Sequence, residues 1–148
     1  MGIISGPGDR SPAEPSRADA SRALRVLIID DELPVRSALS RYFGRKGWVA
    51  EGIGDGQAAL ALLRDAPPGA FDAILTDMSM PGMGGDALHD ALREERPDFF
   101  HRLIIATGDL TSTEASALRA RSNRPFVAKP FDFASLMAIV TAVARGER

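Results

Sequence analysis

The stretch "LRVLIIDDELP", residues 24 to 34, decides the reading of this chain. An apolar run from Val26 to Ile29 passes directly into Asp30, Asp31 and Glu32. Apolar residues at consecutive positions, rather than alternate ones, mark a strand covered on both faces, as in a parallel sheet. Acids placed side by side where such a strand emerges repel one another: two carboxylates about 4 Å apart oppose by roughly 4 kcal/mol at an effective dielectric of 20. Something positive is expected to hold them.

Working outward, the same texture recurs at "FDAILTD" (71 to 77) and "RLIIAT" (102 to 107), both read as strands buried on two faces, with weaker edge strands at "WVAEGI" (48 to 53) and "PFVAK" (125 to 129). Amphipathic segments lie between them. Val35, Ala38, Leu39, Tyr42 and Phe43 fall on one helical face behind Pro34; Ala59, Leu62 and Leu63 follow Asp55; Ala87, Leu88, Ala91 and Leu92 follow Asp86, with Pro97 as the stop. Two more helices are expected, at about Ser112 to Arg121 and at Phe133 to Ala144, the last burying Phe133, Leu136, Val140 and Val143. Strict alternation of strand and helix, with right-handed crossovers, gives an α/β fold: a doubly wound, five-stranded parallel sheet.

Composition fits one such domain. The 148 residues are 45% hydrophobic and 26% charged, with a net charge of −2 and no cysteine. That charge argues against direct nucleic-acid binding, and the lack of cysteine excludes disulfides and thiolate metal sites. No apolar run approaches the roughly 20 residues that span a bilayer, "MGIIS" is too short for a signal-peptide core, and Gly6 stands where myristoylation needs Ser or Thr. A cytoplasmic protein is expected. Residues 1–23, rich in Gly, Pro and Ser, read as a disordered leader or linker before a domain at 24–146.

Ligands of open parallel sheets bind at the carboxyl ends of the strands. There the chain delivers Asp30 and Asp31, Asp77, Thr107 and Lys129. Taken alone, each Asp reads as a helix N-cap, Thr107 as another cap and Lys129 as a surface residue. Together they make chemical sense as a phosphoryl site: carboxylates for a hard divalent ion, one of them a nucleophile, and a hydroxyl and an ammonium for phosphoryl oxygens.

"VLIIDDE", "ILTDMSMPGMGG", "IIATGD" and "FVAKPF" together resemble the receiver domain of two-component response regulators, over residues 25 to 145. Asp77 stands 30 residues before Thr107 and 52 before Lys129, spacings ordinary for that family. The resemblance implies the flavodoxin-like (βα)5 topology with strand order 2-1-3-4-5, and a signalling switch that catalyses only its own phosphorylation and dephosphorylation and no metabolic reaction. It implies that Asp77 accepts a phosphoryl group from a phosphohistidine of a sensor histidine kinase or phosphotransfer protein. Mg2+ (or Mn2+) would be held by Asp31, Asp77 and the backbone carbonyl of Ser79, with Asp30 acting through water. Lys129 would pair with Asp77 and then with the phosphoryl group, while Thr107 and Phe126 would act as switch residues, Phe126 standing where Tyr is frequent. Ser79 and Asp109 would tune phosphoryl lifetime, and the Lys129–Pro130 bond would be cis. Output would pass to a downstream protein target through the surface of the fourth helix, fifth strand and fifth helix, without nucleic acid or membrane; a homodimer formed on activation is compatible. "TGD" and "RPFVAKPF" resemble receivers of hybrid histidine kinases more than those feeding DNA-binding domains.

Three alternatives stay open: a metal-dependent phosphatase or phosphotransferase with an aspartyl-phosphate intermediate, a pseudo-receiver that is never phosphorylated, and a flavodoxin-like cofactor carrier. Against the first, the adjacent Asp30 and Asp31 do not give the nucleophile and second Asp two residues apart. Other signals are discounted. "GIGDG" has the wrong spacing for a dinucleotide loop and reads as a turn with Asp55 capping a helix, and "PGMGG" lacks the following Lys-Ser or Lys-Thr of a P-loop. His89 and His101 are expected at the surface or core edge, Tyr42 and Trp48 under the first helix and second strand, and "REER" (93 to 96) as a solvated helix end.

Overall fold

A computed structural model describes residues 22–146; most of the expected leader lies outside the described residues. Five strands, β1 (Arg25–Ile29), β2 (Val49–Ile53), β3 (Ala73–Asp77), β4 (Leu103–Thr107) and β5 (Phe126–Ala128), form one sheet in the order β2-β1-β3-β4-β5. Every pairing is parallel. The expected topology is present, with strand ends a residue or two inside the expected limits. The helices are α1 (Leu33–Arg45), α2 (Gly56–Asp65), α3 (Gly85–Glu95), the single-turn α4 (Pro97–Phe100), α5 (Thr113–Ala120) and α6 (Phe133–Ala144). None of them is long and apolar enough to cross a membrane.

The continuous apolar runs follow from burial on both faces. Leu27, Ile29, Ile74, Leu103 and Ile105 face a core closed by α2, α3, α4 and α5, while Val26, Ile28, Leu75, Ile104 and Ala106 face one closed by α1 and α6. Successive side chains of a strand point to opposite sides, so each of the central strands β1, β3 and β4 feeds both cores. Edge strand β2 is exposed at Val49, Glu51 and Gly52.

Several expectations change in detail. Pro97 ends α3 and also opens α4, which buries Phe99 and Phe100; proline's fixed φ suits a first helical position. His89, expected at the surface or core edge, is fully buried because the Phe100 ring lies 5.0 Å away, edge-on. "REER" is a solvated helix end at Arg93, Glu94 and Glu95, and only Arg96 is partly buried. Glu95 takes two bonds from Arg64 of α2, and Arg96 donates to the carbonyls of Leu63 and Ala66 while its guanidinium lies 4.3 Å over the Phe99 ring. Trp48 packs at 5.5 Å on Phe43 of α1 as expected, but Tyr42 turns to Phe133 of α6 at 4.7 Å.

Candidate functional site

The strand ends bring the expected residues to one rim. Asp30 follows β1 directly, Asp77 and Thr107 close β3 and β4, and Lys129 follows β5. Oxygens of Asp30, Asp31 and Asp77 lie within 4.8 Å of one another. Lys129 Nζ stands 3.0 Å from Asp30 Oδ2, 3.6 Å from Asp77 Oδ1 and 3.7 Å from Glu32 Oε1. The positive charge that the acids demand is therefore Lys129, brought from 99 residues away in the chain.

None of these acids is occupied in capping a helix. The N-cap positions of α1 and α3 belong to Glu32 and Gly84, α2 is capped by Asp55, whose carboxylate oxygen accepts from the N–H groups of Gln57 and Ala58, and α5 is capped by Ser112. Asp30 instead accepts from the Glu32 N–H at 2.9 Å and from Lys129. Capping, the ordinary explanation for a strand-end Asp, does not account for Asp30, Asp31 or Asp77.

Burial and charge set the ionisation of the pair at the centre. Burial pushes the Asp77 carboxyl above its ordinary value; Lys129 opposes that, and the nearby Asp30 and Asp31 carboxylates add to it. For Lys129 burial disfavours the ammonium, but the hydrogen bond to Asp30 and the charges of Asp77, Asp30 and Glu32 outweigh it and hold its pKa above the ordinary lysine value. Three acids facing one cation leave an excess of negative charge, and oxygen-only donors are what a hard divalent cation takes. The donor set fits Mg2+ or Mn2+.

Asp31, Asp77, Ser79, Thr107, Asp109 and Lys129 line a cleft of about 670 Å³. Thr107 is buried, and its hydroxyl is engaged with the following loop: it accepts from the Asp109 N–H at 3.2 Å and faces the Asp109 carbonyl at 3.4 Å. The Asp109 carboxylate folds onto Thr111, accepting from its N–H at 2.9 Å and its hydroxyl at 2.6 Å; those bonds hold its pKa below the usual value. Phe126 is half-buried, with the Arg119 guanidinium 5.9 Å from its ring centre. The Lys129–Pro130 bond is cis.

Two features of the site have faint sequence signals. Glycines begin α3 because the backbone leaves no room: a Cβ on Gly85 would lie 2.6 Å from the Asp77 carbonyl oxygen, and one on Gly84 2.6 Å from that of Met78. Beside the cleft, and sharing Glu32 and Lys129 with it, runs an apolar groove lined by Pro34, Val35, Ala38, Phe131 and Phe133. Three of them lie on α1, and Phe131 and Phe133 lie just before and at the start of α6, far away in sequence, so no local pattern announces the groove.

Comparison with known proteins gives the family and the fold. A family model for the response regulator receiver domain matches residues 26–141. The response regulator MprA of Mycolicibacterium vanbaalenii is 30% identical over 122 residues, covering 82% of this chain and 51% of that protein. The virulence sensor protein BvgS of Bordetella pertussis is 33% identical over 145 residues, covering 94% of this chain and 11% of that protein. Among solved structures, the chemotaxis protein CheY4 of Vibrio cholerae superposes with a TM-score of 0.70 at 27% identity, covering 82% of this chain and 98% of that one. The chain thus spans about half of MprA and about a ninth of BvgS.

Proposed function

Since the chain belongs to the response regulator receiver domain family, we propose that it is a phosphorylation-dependent switch of two-component signalling that accepts a phosphoryl group on Asp77. The observation that supports this most directly is the convergence of Asp30, Asp31 and Asp77, with oxygens within 4.8 Å of one another, on the ammonium of Lys129.

In this reading a carboxylate oxygen of Asp77 attacks the phosphorus of a phosphohistidine on a sensor kinase or phosphotransfer protein. The new O–P bond forms as the P–N bond breaks, and the imidazole leaves with the electron pair. Asp31, Asp77 and the Ser79 carbonyl would hold Mg2+ or Mn2+, with Asp30 through water. When bound, the ion supplies positive charge that draws the carboxylates together and offsets charge on the phosphoryl oxygens. Lys129, already 3.6 Å from Asp77, moves its ammonium onto a phosphoryl oxygen. Thr107 turns its hydroxyl from the Asp109 backbone to the phosphoryl group, which releases the loop leading to α5, and Phe126 follows by repacking. Ser79 and Asp109, at the lip of the cleft, govern how water reaches the acyl phosphate.

The apolar groove that shares Glu32 and Lys129 with the cleft suits an apolar helix face of the phosphodonor, which would place its histidine over Asp77. Output passes to a protein target through α5, β5 and α6. Intact-mass spectrometry after incubation with acetyl phosphate tests the reading. One phosphoryl adduct is expected in wild type with Mg2+, none without Mg2+, and none in Asp77→Asn. An adduct that persists in Asp77→Asn overturns the assignment.

A further inference from the structure

Arg36 lies in the opening turns of α1 and points back at the end of β1. Its Nη1 donates to the main-chain carbonyl of Asp30 at 2.6 Å, and the Asp30 N–H donates to the Ile53 carbonyl at 3.1 Å. Asp30 is thereby fixed on both sides, by the neighbouring strand and by a charged donor, the stronger kind of hydrogen bond.

The seat of the guanidinium is built into β2 and the turn after it. Gly52 and Gly54 have no left-handed φ, so the backbone itself does not ask for glycine there. The space does. A Cβ on Gly54 would lie 2.6 Å from Arg36 Nη1 and 3.2 Å from Cζ, and one on Gly52 3.4 Å from Cδ. Two residues without side chains thus leave a floor on which the arginine lies flat.

The Asp30 carbonyl belongs to the peptide that leads into Asp31, so holding its plane sets the direction in which Asp31 leaves the chain. Asp31 is exposed. Its aim comes from the backbone rather than from packing. We propose that Arg36 is a positioning residue for the divalent cation: seated on Gly52 and Gly54, it locks the Asp30–Asp31 peptide so that Asp31 points at the place shared with Asp30 and Asp77.

This inference rests on the receiver reading, and the experiment separates the two. Mg2+ alone is titrated calorimetrically into the full chain, with the melting midpoint measured in its absence, for wild type, Arg36→Ala, Arg36→Lys, Gly54→Ala and the Gly54→Ala/Arg36→Ala double variant. Removing groups that orient metal ligands typically weakens metal binding about 10- to 100-fold. Arg36→Ala and Gly54→Ala are each expected to fall in that range, because Gly54→Ala displaces the guanidinium while leaving the arginine in place. The double variant is expected to be no weaker than Arg36→Ala, since both changes remove one interaction. Arg36→Lys, which keeps a donor, is expected to recover part of the affinity. If Arg36→Ala does not fold, Gly54→Ala carries the comparison. Single variants that bind Mg2+ as tightly as wild type overturn the inference, whatever their melting midpoints. Wild type that takes up neither Mg2+ nor a phosphoryl group overturns the receiver reading and this inference with it.

Discussion

Asp77 is held in a charge state that its surroundings disfavour. A carboxyl whose folded pKa stands above its unfolded value stabilises the fold only when protonated, so at neutral pH the ionised Asp77 destabilises it. Asp77→Asn, which removes the charge and keeps the shape, is therefore expected to raise the melting midpoint at neutral pH without Mg2+. The gain should shrink as pH falls through the carboxylate range, where wild type takes up its proton; a thermal-melt series against pH checks this. Such a cost is usual at a functional site. The acid cluster itself was legible from the sequence, since a strand ending in adjacent acids calls for a cation. The seat of Arg36 was not, because Gly54 reads in sequence as a turn residue and only the fold shows that its missing side chain makes room for a guanidinium.

At the scale of elements, α3 is tied to the far end of α5 through a buried imidazole. His89 Nδ1 meets Asp90 Oδ1 at 2.9 Å and His89 Nε2 meets Ser122 Oγ at 2.8 Å, while Asp90 also takes a bond from Arg121 and the Arg93 guanidinium reaches the Arg121 carbonyl. Burial lowers the His89 pKa, and Arg93 and Arg121 add to this; Asp90 opposes it without reversing it. An imidazole with a folded pKa below its unfolded value of about 6.5 takes up its proton more readily when unfolded. Stability is then lost as pH falls below that value, by at most about 1.4 kcal/mol per pH unit. Wild type should melt earlier at pH 5.5 than at pH 7.5, and His89→Gln should remove most of that difference; equal slopes in the two proteins would contradict the tie. The strands, the four crossover helices and the closing α6 could be read from the chain, because two-sided burial leaves uninterrupted apolar runs and helical burial leaves a 3.6-residue period. The single turn α4 and the burial of His89 could not. Pro97 signals a stop and a start equally well, and a histidine beside Leu88 on α3 becomes interior only because α4 swings Phe100 across it.

Across the whole molecule, the rim of the sheet gathers charge of one sign from β1 and β3 against a single cation from β5. A divalent ion that binds only this arrangement stabilises the fold by mass action, by about 2.7 kcal/mol at a hundred times its dissociation constant. Saturating Mg2+ is expected to raise the wild-type melting midpoint by roughly 10 °C, and to raise it less in Asp77→Asn. A midpoint that is unchanged by Mg2+ would mean that the acids do not act together. The order in which the rim is assembled has a temporal consequence. Domains fold as units while synthesis proceeds from the N-terminus, and Lys129 arrives 99 residues after Asp30 on a strand that adds last, at the sheet's edge. A nascent chain therefore carries Asp30 through 99 residues of synthesis without the ammonium that balances it. Ribosome-arrested chains of graded length should stay inert to acetyl phosphate until Lys129 has emerged, which would confine the proposed phosphoryl transfer to domains whose last strand is in place.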